Sequence, residues 1–169
     1  PTLREWCDAA IAGGLMLAWS CDLIVASEDA FFQDPVNPLM GIPGVEYFAH
    51  AFELPPRVAK EFLLLGERMP AARAERFGMV NRIVAREALR ETVATMAEKL
   101  AGQSRLGNWL SKKAINHVEE LRGKSAAMEA VFHMHHFAHV QNDLVTGNSI
   151  AGVDGKSAAA ANKKDAGEA

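Results

Sequence analysis

Several signals are missing from this chain. No apolar run is long enough to cross a bilayer. The first residues, Pro1-Thr2-Leu3-Arg4-Glu5, lack the charged-then-apolar layout of an export signal. Only two cysteines are present, Cys7 and Cys21, enough for at most one disulfide, so reduced thiols in the cytoplasm are expected. The 18 Lys and Arg are scattered among 21 Asp and Glu, giving a net charge of -3 and no basic stripe of the kind that grips nucleic acid. No internal repeat is visible. What remains is 169 residues, 49% hydrophobic and 23% charged, the balance of one globular domain. The chain opens at Pro1 without a Met, which reads as part of a longer or processed protein.

Ala12-Gly13-Gly14 leads into Leu15–Cys21, apolar nearly all round as in a buried helix. Paired glycines allow positive φ or close backbone approach, and commonly mark a strand-to-helix turn. Asp22 precedes Leu23-Ile24-Val25-Ala26, a buried strand, and Ala30-Phe31-Phe32 reads as a second. From Asp34 to Gly44, three prolines and two glycines exclude a regular element and predict a loop of fixed shape. Glu46 and Tyr47 are expected to open the next helix, with His50 one turn on from Glu46 and on its face. Pro56 and Gly66 bracket a helix, Ala71–Phe77 forms a shorter one ending at Gly78, and Val80–Val84 alternates as a strand. Three amphipathic helices follow, near 86–101, 106–118 and 124–145. The segment from Ala151 onward, poor in large apolar residues, reads as a mobile tail. Strands first and helices later predict a mixed α/β fold with an appended helical part. The expected division is an α/β core over 1–84, a helical region over 85–147 and a tail over 148–169.

Ile11-Ala12-Gly13-Gly14-Leu15-Met16-Leu17-Ala18-Trp19-Ser20-Cys21-Asp22 resembles the glycine-rich stretch of the enoyl-CoA hydratase/isomerase (crotonase) family. The likeness continues through Ala26–Phe32, Pro35 and Gly41-Ile42-Pro43-Gly44, then Leu65–Ala74, Phe77–Val84 and Lys112–Asn116. In this order the segments are specific over residues 9 to about 147. The resemblance implies an incomplete crotonase-like βαβ spiral followed by a helical trimerisation region. It implies an acyl-CoA thioester as partner and substrate, no metal or redox cofactor, and a homotrimer or hexamer.

The family's chemistry stabilises a thioester enolate with two backbone N–H groups aimed at the thioester oxygen. By position one donor is the N–H of Gly13, and Gly14 opens the helix behind it. The other donor belongs to an earlier segment of the family. Gly14, Met16, Val36, Pro43 and Gly44 are the expected substrate contacts. The two positions where hydratases carry glutamates are Met16 and Val36 here, and neither side chain can move a proton. Asp34 and Glu46 are the nearby acid/base candidates. Their plainer roles are turn capping for Asp34 and a helix N-terminus for Glu46, with Tyr47 and His50 packing or facing solvent.

The resemblance therefore predicts an activity other than ordinary hydration. The alternatives are a catalytically silent acyl-CoA-binding or assembly subunit, or an inactive fragment. Arg4 and Glu5 fall where the family has a buried strand, at a desolvation cost. On the last long helix, His135 and His139 are i, i+4, a spacing compatible with metal binding, although structural roles are expected for the histidines there. Asp22 is expected to be structural.

Overall fold

The computed structural model describes residues 1–151, 153, 154, 156, 157 and 160. The predicted tail therefore falls mostly outside the described residues. Two small sheets form the α/β part. One is all parallel, with β1 (Leu3–Trp6), β3 (Leu23–Ser27) and β6 (Arg82–Val84) in the order β1-β3-β6. The other joins β2 (Ala9–Ile11), β4 (Phe31–Gln33) and β5 (Met69–Pro70), with β2 parallel and β5 antiparallel to β4.

The chain visits the sheets alternately. β1 and β2 are followed by helix α1 (Gly13–Trp19), and then β3 and β4 repeat the winding one strand further on. Parallel neighbours cannot be joined by a tight hairpin, so α1 serves as the crossover. This is the expected spiral. Leu15, Ala18 and Trp19 of α1, Ile24 and Ala26 of β3 and Phe32 of β4 form its shared buried core. Each large apolar side chain removed from water there contributes about 1.5–3 kcal/mol.

Positive φ falls on Ala12, at φ 46°, and neither Gly13 nor Gly14 adopts it. An L-alanine held there stores strain of order 1–3 kcal/mol. The Ala12 N–H bonds the carbonyl of Gln33 at 3.0 Å, which fixes the end of β2 against β4. Gly14 serves the other purpose of glycine, close approach, since a Cβ there would lie 3.3 Å from the Trp6 ring.

Three expectations need correction. Residues 34–44 are not all loop, because Val36–Met40 forms a short helix, α2, closed by Gly41 in the left-handed region. Pro38 lies in its first turn, where a missing N–H costs no helical bond. The next helix, α3, begins at His50 and runs to Glu53, so Glu46 and Tyr47 do not start it. Arg4 and Glu5 of β1 are exposed, so the strand forms without burying either charge.

Further on, α4 (Pro56–Leu65) begins and ends as its Pro and Gly dictate, with Gly66 left-handed at φ 64°. After α5 (Ala71–Arg76), a 3₁₀ turn at Arg86–Ala88 leads into α6 (Leu89–Ala101). The long helices α7 (Arg105–Leu121) and α8 (Lys124–Thr146) complete the described fold. Ser104 caps α7 by accepting the Gly107 N–H at 3.2 Å. Asp22 is structural, as expected, accepting from Thr2 and, at 2.6 Å, from Lys112 of α7. The periodic apolar sides of α7 and α8 are substantially exposed, including Leu106, Trp109, Ile115, Leu121, Phe137 and Leu144. Among the described residues no helix is long and apolar enough to cross a membrane.

Candidate active site

Helix α1 opens its mouth at Gly13. Gly13 is exposed and a Cβ there would meet open space, so its backbone is reachable from outside. The Met16 N–H closes the first helical turn on the Ala12 carbonyl at 3.1 Å. The N–H groups of Gly13 and Gly14 precede that bond, and no acceptor lies on either among the described residues. Free donors at a helix start carry partial positive charge, which favours a negative oxygen.

Beside this mouth lies a compact apolar cluster. Val36, Ile42 and Val45 are buried, with Ala12, Met16, Met40, Ala138 and Ile150 packed against them. Met16 and Val36, far apart in sequence, thus share one apolar surface. Pro43 and Gly44 belong to the same segment as Ile42 and Val45.

Asp34 holds that segment in shape. The side chain is fully buried. Its Oδ1 accepts the Val36 N–H at 3.1 Å, and its Oδ2 accepts the Val45 N–H at 3.0 Å and lies 2.9 Å from His50 Nε2. Because a carboxylate accepts, Nε2 is the protonated nitrogen of His50. His50 is itself fully buried, edge-on to Trp19 with ring centroids 4.6 Å apart and also against Phe48 and Phe62. Its Nδ1 has no hydrogen-bond partner among the described residues. Gly44, at φ 91°, completes the knot. A Cβ there would come within 2.8 Å of Leu63 Cδ2 and 3.0 Å of Asp34 Oδ2.

Asp34 and Glu46 therefore lie in opposite settings. Asp34 is sealed, with both oxygens engaged. Glu46 is about half exposed, with Oε1 3.6 Å from His135 Nε2. His50 does not share a face with Glu46, having turned into the core beneath Trp19. The pairing of Asp34 with His50 escaped the sequence because the partners are 16 residues apart with an irregular path between them.

A second feature lies at the other end of α1. A cavity of about 260 Å³ is lined by Trp19, Asp22, Tyr47, Glu53, Lys112 and Lys124, among others. Burial pushes the Glu53 carboxyl up from 4.5 to about 7, with Lys124 pulling it down and Glu119 adding to the rise. No motif marked Glu53. Below pH 4.5 Glu53 is protonated in both folded and unfolded chains. As pH climbs from 4.5 to 7 the unfolded chain ionises first, so folding stability is lost, by about 3 kcal/mol in full. Urea unfolding at pH 5 and pH 8 should therefore show a fall for the native chain that is largely absent in Glu53→Gln. An equal fall in both would remove Glu53 as its source.

Two small sheets wound as a spiral around a buried crossover helix, followed by a helical region, define the class of fold. Comparison with known proteins names the class. The family model described as enoyl-CoA hydratase/isomerase matches residues 8–152, and the chain belongs to that family. The "Putative enoyl-CoA hydratase EchA13" of Mycobacterium tuberculosis is 37% identical over 150 residues, covering 89% of this chain and 47% of that protein. The crystal structure of a "probable enoyl-CoA hydratase" from Mycobacterium smegmatis superposes with a TM-score of 0.86 at 43% identity, covering 89% of this chain and 62% of that one. A counterpart from Mycobacterium thermoresistibile gives a TM-score of 0.82 at 41% identity, covering 85% and 58%. The chain spans about half the length of its curated relative EchA13.

Proposed function

We propose that this chain is an acyl-CoA-handling part of its family, with the Gly13 N–H as one of two donors to a thioester oxygen. The observation that carries the reading is the exposed, unengaged N–H of Gly13 at the start of α1. Such a donor acts where negative charge develops on the oxygen as an enolate forms. Gly14, Met16, Val36, Pro43 and Gly44 contact the acyl portion in this reading. No metal or redox cofactor enters the step.

Ordinary hydration is not the proposed reaction. Water must be activated and a proton delivered, and the surface shared by Met16 and Val36 offers no group for either. Of the two carboxylates near the loop, Glu46 is the acid/base candidate with solvent access, while Asp34 has no oxygen to spare. The apolar cluster also supports a second reading, an acyl-CoA-binding or assembly subunit without turnover. The exposed apolar sides of α7 and α8 suit the family's homotrimer or dimer of trimers in either reading.

The test is direct. Titrating the ¹⁵N-labelled chain with a β-ketoacyl-CoA, whose enolate carries the relevant charge, should shift the Gly13 and Gly14 amide signals together and saturably. Shifts confined to other parts of the molecule would refute the role of Gly13.

A further inference from the structure

Helix α8 carries two histidines, His135 and His139, whose ring nitrogens are all engaged. His135 is 4% exposed, and its Nδ1 donates to the Gly44 carbonyl at 3.0 Å. The Nδ1 of half-buried His139 donates to the Ser149 carbonyl at 2.8 Å. A carbonyl oxygen only accepts, so each Nδ1 carries a hydrogen. The two Nε2 atoms meet at 3.1 Å, and a hydrogen bond there needs one more hydrogen between them. The geometry thus calls for three ring hydrogens, whereas two neutral imidazoles hold one each. The third is an acid proton, and with it the pair is a single cation. Glu46 Oε1, 3.6 Å from His135 Nε2, places an opposite charge beside it.

We propose that His135 and His139 share one proton, and that this proton straps the turn after α8 over the apolar cluster. That turn holds Ser149 and Ile150, and Ile150 packs against the cluster of Val36, Ile42 and Val45 that Met16 joins. The Ser149 carbonyl is tied to His139 and, more weakly, to Asn142 Nδ2 at 3.4 Å. When the shared proton leaves, two hydrogens remain for three contacts. His135 keeps its own on Gly44, because it is the more buried ring and a buried bond left unmade costs more. His139 then turns a bare Nδ1 to the Ser149 oxygen or a bare Nε2 to that of His135. Either choice sets two lone pairs face to face, so the turn loses its main tie. The wall opens at Ile150, while the part bonded to Asp34 stays in place.

Other titratable groups stand around the pair. His136 of α8 lies 5.9 and 6.4 Å from the two rings between centroids, with its own Nδ1 on the Phe132 carbonyl at 3.1 Å. Asp143, one turn beyond His139, is exposed. Asp34 and His50 lie behind Gly44, bonded to one another. Imidazole is the side chain whose charge changes between about pH 5 and pH 8, so the strap is closed toward the acid end of that range and open toward the basic end. The strap is independent of the acyl-CoA reading.

Ring ¹⁵N spectra of the full chain, labelled at histidine, count the hydrogens directly. At about pH 6 both Nδ1 atoms should read as protonated and the two Nε2 atoms as sharing one hydrogen, which should be gone by about pH 8. Over the same change, protection of the Ile150 amide should fall about 10-fold, once the intrinsic rise of exchange with pH is removed. In His139→Gln, which has no titrating ring, that fall should disappear. His136→Gln and Glu53→Gln should retain it, although Glu53 ionises over a similar range at the other end of α1. Any other number of ring hydrogens at about pH 6, or a fall in protection that persists in His139→Gln, would overturn the proposal. The hydrogen count is made on the native chain, so it decides the matter even if His139→Gln folds poorly.

Discussion

Asp34→Ala should cost about 3–5 kcal/mol of folding stability, a large share of the 5–15 kcal/mol a typical domain has. The carboxylate accepts from two backbone N–H groups and from His50 Nε2, all within the protein. Removing it leaves three buried donors without an acceptor, each costing about 1–3 kcal/mol before relaxation. Asp34→Asn should fall between the native chain and Asp34→Ala, because an amide keeps one accepting oxygen but turns NH₂ toward groups that are themselves donors. Urea unfolding of the three proteins measures the series. A loss below about 1 kcal/mol for Asp34→Ala would show that the knot contributes little. The same experiment separates two roles for this residue. An acid/base would lose turnover and keep its fold, whereas the buried knot loses the fold first.

Crotonyl-CoA, incubated with the chain in water, should show no enzyme-dependent loss of enoyl absorbance. One well-placed acid or base supplies about 10²–10⁴ in rate, and both hydratase positions are apolar here. The expected deficit against a hydratase bearing both glutamates is therefore about four orders of magnitude or more. On the proposed reading acyl-CoA binding persists, since the Gly13 N–H and the apolar cluster do not depend on those carboxylates. Hydration that scales with chain concentration would contradict this. If that activity then vanished in Glu46→Gln, the proton-carrying role would pass to Glu46, the solvent-reached carboxylate.

The parts of this fold that were legible in the sequence are those whose signals are local. Pro56 and Gly66 bracket α4, and the β-branched run at Leu23–Ala26 falls within β3. The glycine pair marks the start of the helix at Gly13, and of the two uses of glycine it shows close approach, at Gly14, while the positive φ falls on Ala12. Ala12 takes the positive φ because the geometry of strand β2 and its bond to Gln33 demand it, against alanine's own preference. Helix α2 was hidden by the same prolines that suggested a loop, for Pro38 is harmless in a first turn.

The candidate site was half legible. Gly13, Met16 and Val36 stood out by resemblance, and the apolar cluster joins the last two. His50 was invisible as a partner of Asp34, because a buried pair is set by tertiary folding and leaves no spacing rule. On α7 and α8 the periodicity gave the helices correctly, but amphipathic pattern alone does not say what meets the apolar side.

The single carboxylate that gathers residues 36, 45 and 50 also limits how this protein can change. Val36 and Val45 hang from the same two oxygens, so the wall they form moves as one piece or not at all. A different apolar side chain at position 36 or 42 would change the packing against Met16, Met40 and Ala138 while leaving the Asp34 bonds to the backbone in place. Apolar substitution in this cluster can thus proceed one residue at a time, without remodelling of the loop.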